Sequence, residues 1–290
     1  MAAAAGGVGA GQPGSAIITR AIPSSGETIA AVGLGTYRAF DVGASRPQRD
    51  PLREVLRRFV ALGGRVVDSS PMYGAAETIV GDLAAELGLG GSLFFATKVW
   101  ITGREAGIEQ MEQSMRRLRV TRLDLMQIHN LLDWRTHLKT LRDWKEAGRI
   151  RYLGITHYTA GAYGELERIM GDERLDFVQL NYSLAEREAE RRLLPLARER
   201  GIAVLVNRPY AEGAMFRQVR GRPLPAWAAD VGCRSWGQFF LKWILGHPAV
   251  TSVIPATGQP DHLEDNMHAG VGPLPDAGLR ERMAAYFKTL

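Results

Sequence analysis

The stretch Val66-Val67-Asp68-Ser69-Ser70-Pro71-Met72-Tyr73-Gly74 decides the reading of this chain. Val66 and Val67 are β-branched and suit a buried strand, whereas Pro71 and Gly74 cannot readily extend one. Asp68 therefore stands at the C-terminal end of a strand, with Tyr73 on the loop beyond it. In parallel α/β proteins that edge is where ligands bind.

Working outward, the chain alternates strand and helix patterns. Upstream, Ile17 to Ile22 and Thr28 to Val32 flank the polar Ser24-Ser25-Gly26 and read as a hairpin. Gly33-Leu34-Gly35-Thr36 ends a first core strand, and Pro51 to Leu62 follows as an amphipathic helix starting at Pro51. Downstream of Val66, strands are expected at Phe94 to Thr97, Leu123 to Ile128, Ile150 to Ile155, Phe177 to Leu180, Ala203 to Val206 and Val250 to Ile254. Helices separate them, and a further helical pattern runs from Leu279 to Phe287. Eight βα units at near-constant spacing, joined by right-handed crossovers, close a (β/α)8 barrel. An open doubly wound sheet would carry a G-x-G-x-x-G turn, and Gly33-Leu34-Gly35-Thr36-Tyr37-Arg38 has no third glycine. The interval from Val206 to Val250 is too long for one helix, so extra structure is expected in the loop after strand seven. Residues 1–15 are mostly Ala and Gly and read as a flexible leader, leaving 16–290 as one barrel domain.

Bulk properties exclude several classes. The 36 basic and 31 acidic residues are intermixed, giving a net charge of +5 without the like-charge block of a nucleic-acid tail. No apolar run reaches the ~18 residues of a spanning helix. The single cysteine, Cys233, rules out an internal disulfide framework and suits a reducing, cytoplasmic setting. H-x-H, H-E-x-x-H and C-x-x-C pairings are absent, so no metal site is expected.

Ionisable residues then gather at one rim. Asp68 ends strand two, Lys98 ends strand three and His129 ends strand four, with Tyr73 reaching in from the loop after strand two. A free phenol has a pKa of about 10, too high for easy proton transfer near neutrality. A nearby ammonium lowers it, a carboxylate holds the ammonium, and a histidine can orient a carbonyl oxygen. Such a site moves one proton. A Schiff-base chemistry at Lys98 is the alternative from the same residues.

These motifs resemble the aldo-keto reductase superfamily: Asp68 to Gly74 with Glu77, Thr97-Lys98-Val99, and Gln127-Ile128-His129-Asn130. The likeness runs from about Ile17 to Asn266. It implies reduction of an aldehyde or ketone by NADPH, with NADH possible, Tyr73 as general acid, Asp68 and Lys98 tuning it, and His129 orienting the carbonyl. It further implies cofactor contacts at Thr156, His157, Gln179, Asn207, Arg208, Ala256, Thr257, His262 and Asn266. Two positions depart from the family pattern: His157 replaces an amide, and Asn207 stands where many relatives carry a stacking aromatic. His262 and Ala256 replace basic residues that would bind a 2′-phosphate, for which Arg208 is a substitute. Those departures keep a second reading open, a nicotinamide-binding redox sensor with little turnover. Tyr37, Met72, Trp100 and Trp134 are expected to line an aromatic substrate mouth. The partner is a small carbonyl compound, not a nucleic acid or a membrane.

Overall fold

The computed structural model describes residues 16–290; the segment 1–15, expected to be a leader, lies outside the described residues. Strands β1 (Thr19–Ala21) and β2 (Thr28–Ala30) pair antiparallel as the expected hairpin, turning at Gly26 with φ 77°. The chain then runs β3 (Leu34–Gly35), α1 (Arg46–Ala61), β4 (Val66–Asp68), α2 (Ala76–Glu86), β5 (Phe94–Val99), α3 (Arg104–Leu118), β6 (Leu123–His129) and α4 (Trp134–Glu146). It continues with β7 (Ile150–Thr156), α5 (Tyr163–Asp172), β8 (Phe177–Asn181), α6 (Leu193–Arg200), β9 (Ala203–Asn207), α7 (Ala214–Gln218), α8 (Trp236–Leu245), β10 (Ser252–Val253), α9 (Pro260–His268) and α10 (Ala277–Lys288).

Strands β3 to β10 form one parallel sheet in sequence order. Bridges Val32–Val253 and Gly35–Ala256 join its two edges, closing the (β/α)8 barrel. Alternate strand residues face opposite ways. Val67, Met126, Val178 and Val204 pack outward in the main core with the helices. Val66, Phe94, Leu125, Phe177 and Leu205 fill the barrel interior, together with Ile22 and Ile29 of the hairpin. The hairpin thus plugs the end of the barrel opposite the strand C-termini.

Helix α1 starts a turn earlier than its sequence pattern suggests, at Arg46 rather than Pro51. The carbonyl of Ser45 accepts from the N–H groups of Gln48 and Arg49, so the helix nucleates before Pro51 and Pro47 occupies its first turn. Helix α6 begins at Leu193, after a separate 3₁₀ turn at Glu188–Glu190. The expected addition after the seventh barrel strand is present as 3₁₀ turns at Ala211–Gly213 and Ala226–Val231 around α7. Among the described residues no helix is long and apolar enough to cross a membrane.

Helices α2 and α3 meet at Gly81, where an added Cβ would lie 2.0 Å from the carbonyl oxygen of Arg117 and within 3 Å of the Leu118 backbone. Backbone cannot step aside as a side chain can. Gly81→Ala is therefore expected to destabilise the fold by roughly 2 kcal/mol or more; an unchanged urea midpoint would refute this packing.

Candidate active site

At the C-terminal end of the barrel the interior changes from apolar to polar within one layer. Strand register sets this: Lys98 lies opposite Gln127, His129 opposite Thr156, and Thr156 opposite Gln179. Because side chains alternate, Asp68, Lys98, Gln127 and Gln179 turn inward above the apolar plug, with His129, Thr156 and Asn207 nearer the mouth.

Asp68 and Lys98 form a buried ion pair, Nζ to Oδ2 2.6 Å, and Lys98 Nζ also donates to the Ser69 carbonyl at 2.6 Å. Lys98 is fully buried. The other oxygen of Asp68 accepts from Gln179 Nε2 at 2.8 Å and from Gln127 Nε2 at 3.1 Å. Lys98 Nζ lies 4.9 Å from the ring centroid of Tyr73. Tyr73 in turn packs edge-on against His129, centroids 5.9 Å apart, and against Tyr37 at 5.0 Å. Ser70 Oγ holds His129 Nδ1 at 3.0 Å.

Burial decides the protonation states. It pushes the Tyr73 phenol above its ordinary value, and the downward pull of Lys98 is not enough to reverse this. The sequence-based expectation of a lowered phenol pKa is thus corrected: the free site holds Tyr73 protonated. For Lys98 burial works against the ammonium, but the charge and hydrogen bond of the Asp68 carboxylate leave its pKa raised. Burial, reinforced by Lys98 and His157, lowers His129 to about 2, so its ring is neutral.

Tyr73 and His129 open onto a cleft of about 670 Å³. Asp68, Thr156, Gln179, Asn207, Arg208 and Ala256 also line it, as do Tyr37, Met72 and Trp100. Lys98 sits behind this wall. Thr156 Oγ1 and Asn207 Nδ2 both donate to Gln179 Oε1, at 3.2 and 3.3 Å, so the middle of the cleft is one hydrogen-bonded network. The amide oxygens of Asn130 and Asn207 are buried without a partner. Both residues line the cleft.

Other expected site residues are not brought to the cleft wall. His157 lies flat against Tyr158, centroids 5.4 Å apart, and its Nδ1 accepts from the N–H groups of Tyr158 and Thr159. Trp134, expected at the mouth, is buried at the start of α4 with its indole N–H donated to Glu165. Arg208 does reach the cleft wall, but it donates to the Tyr158 carbonyl at 3.0 Å and is flanked by Glu186 and Glu212. Thr257 Oγ1 accepts from Gln259 N–H at the entry to α9. His262 is exposed on α9, and Asn266 accepts from the Tyr210 hydroxyl. Among the described residues no cluster of His, Cys, Asp or Glu could hold a metal ion.

Sequence reasoning missed Ser70, Gln127, Asn130, Tyr158 and Phe216. Gln127 was detectable, because it lies two residues before His129 on the same strand and so faces the same way. Tyr158 lies on an irregular loop and Phe216 in the five-residue α7, which is too short for a periodicity that points inward.

The family model for the aldo/keto reductase family matches residues 31–282. Methylglyoxal reductase YeaE of Escherichia coli is 28% identical over 246 residues, covering 82% of this chain and 84% of that protein. Among solved structures, the holo form of aldo-keto reductase AKR11C1 from Bacillus halodurans superposes with a TM-score of 0.76 at 22% identity, covering 93% of this chain and 96% of that one. An aldo/keto reductase from Klebsiella pneumoniae in complex with NADP and acetate gives the same TM-score at 24% identity, covering 90% and 93%.

The neutral state of His129 has a measurable consequence. Unfolded, a histidine takes up its proton near pH 6.5; folded, His129 does so only at about 2. Its contribution is intact above the unfolded value and erodes as pH falls below it, by up to about 1.4 kcal/mol per pH unit. His129→Asn should therefore flatten the loss of stability between pH 6.5 and 4, as read by urea unfolding at each pH, and an unaltered slope would count against a neutral buried ring.

Proposed function

The chain belongs to the aldo/keto reductase family, and from that premise we propose that it reduces an aldehyde or ketone with NADPH, using Tyr73 as the proton donor. The observation that carries this reading is the protonated phenol of Tyr73 beside Lys98 and the neutral ring of His129, both open to one cleft. When bound, the nicotinamide would supply the hydride that the carbonyl carbon needs. The carbonyl oxygen takes its proton from Tyr73 Oη, and the phenolate left behind is stabilised by the adjacent Lys98 ammonium. Two of the three Lys98 N–H groups are committed to Asp68 and Ser69, leaving one for the phenol. Ser70 Oγ accepts from Met72 N–H at 3.4 Å, so its own hydrogen is available to His129 Nδ1. That pairing puts the imidazole hydrogen on Nε2, where it orients the substrate oxygen.

The cleft fits the cofactor proposed. A carboxamide needs both donors and acceptors, and the linked side chains of Thr156, Gln179 and Asn207 on the cleft wall are groups of that kind. His157 contributes by ordering the loop that carries Tyr158, and Thr257 by ordering the entry to α9. Of the seven exposed large hydrophobic side chains among the described residues, Tyr37, Met72, Trp100, Tyr158 and Phe216 ring this one cleft. Such a concentration supports a substrate whose carbonyl carries an apolar or aromatic substituent.

Two experiments bear on this reading. Tyr73→Phe should lower carbonyl reduction by roughly 10²- to 10⁴-fold while NADPH still quenches tryptophan fluorescence with a near-normal Kd; turnover within a few-fold of the parent would eliminate Tyr73 as the acid. His262 stands beside Asp261 and Glu264 on α9, both within salt-bridge reach of Arg58. His262→Arg is expected to tighten NADPH binding about tenfold, or ~1.4 kcal/mol, and to leave NADH unchanged. Equal gains for both dinucleotides would move the 2′-phosphate away from α9.

A further inference from the structure

Beneath the cleft one residue makes contacts that the reaction, as described, does not use. Gln127 is fully buried and does not line the cleft. Its Nε2 donates to Asp68 Oδ1, and its Oε1 accepts from Gln179 Nε2 at 3.3 Å. The orientation of both amides follows from valence. A carboxylate only accepts, so Gln127 and Gln179 must each present their NH₂ groups to it, and the oxygen of Gln127 is then turned towards Gln179.

We infer that Gln127 is a positioning residue that fixes the plane of the Asp68 carboxylate, so that one oxygen stays directed at Lys98 while the other is held by the amides. This rests on the reductase reading above. Asp68 Oδ1 has two amide donors of unequal security. Gln179 lines the cleft and shares its oxygen with Thr156 and Asn207, so a bound carboxamide competes for that group. Gln127 is out of reach of any ligand. Its hydrogen bond persists whether the cleft is empty or filled, and it keeps the carboxylate from rotating when Gln179 is drawn upward. The line from Gln127 through Asp68 and Lys98 to Tyr73 contains no loop residue until its last member, so the orientation set at the barrel interior is transmitted to the phenol.

The test uses two substitutions in the full chain. Gln127→Met keeps the length and removes the donor; kcat for carbonyl reduction should fall about tenfold, with KM and the NADPH Kd within twofold of the parent. In an Asp68→Asn background the same substitution should change kcat by less than twofold, because the group through which it acts has already been altered. Gln127→Glu is the isosteric companion and guards against a folding defect in the first. The charged groups that its carboxyl meets are Asp68, to which the amide donates, and Lys98, its register partner on β5. With its proton it donates to Asp68 as the amide did; without it, two carboxylates face each other. The ratio of its kcat to that of the parent should therefore be near one at low pH and fall as pH rises, whereas the Gln127→Met ratio stays low and flat. A Gln127→Met enzyme with parental kcat, additive losses with Asp68→Asn, or a pH-independent Gln127→Glu ratio would each overturn the assignment while leaving the reductase reading intact. A parent protein without turnover on any carbonyl would overturn that reading and this one together.

Discussion

A carboxylate and an ammonium lie inside the barrel, and most of the cleft is arranged around what that burial demands. Each ion loses several kcal/mol of hydration on leaving water, and their mutual attraction compensates only when every remaining lone pair and N–H is satisfied. Here they are. Asp68 takes Lys98 on one oxygen and two amides on the other, and Lys98 takes the Ser69 carbonyl as well. A pair of this kind is weak evidence for stability. It is better evidence for orientation, because a fully satisfied network in a low-dielectric interior has few alternative arrangements.

The fold supplies that interior by separating two tasks along the barrel axis. Below, Phe94, Leu125, Phe177 and Leu205 make an apolar plug sealed by Ile22 and Ile29 of the hairpin. Above, the same strands turn polar one inward position later at Gln127 and Gln179, and at Lys98 after the interior Ala96. The register of the parallel ladder makes this abrupt, since neighbouring strands keep their inward positions level. Loops then add what a strand cannot, and some do so in conformations that L-residues seldom adopt. Asn130, Leu131 and Asp133 after β6, and Arg208, Ala211 and Glu212 after β9, all have positive φ. Such residues cost of order 1 kcal/mol or more each and persist where the surroundings over-determine them. Asn130, Arg208 and Glu212 line the cleft.

That division also explains what could be read in the sequence. The strands, the barrel and the rim residues Asp68, Lys98 and His129 were legible because a strand has a two-residue period and ends abruptly at Gly or Pro. The early start of α1 was hidden by Pro51, which marks a helix start by preference but does not forbid an interior position near the N-terminus. Trp134 read as a mouth residue because it follows a rim strand closely; it opens α4 instead, stacked against Arg135 and Arg168 with its N–H on Glu165. Distance along the chain says little about direction once a helix begins. The pKa of Tyr73 was read with the wrong sign because the sequence shows which charges are near but not how much water is excluded.

That last difference bears directly on chemistry. A phenol beside an ammonium in water would be drawn towards phenolate and would serve as a base. Buried beside the same ammonium, Tyr73 keeps its proton, since a phenolate would lack hydration and would also face Asp68. In the reduction proposed above, the ammonium would act chiefly after the proton has left, when negative charge on Oη meets it in a medium of low dielectric. Burial favours the protonated ground state and charge favours the ionised product of transfer, so one residue pair would support both sides of the proposed reduction. His129 follows the same logic from the other direction: burial and Lys98 keep it neutral, so in the proposed reduction it would offer a hydrogen bond without competing with Tyr73 as the proton source.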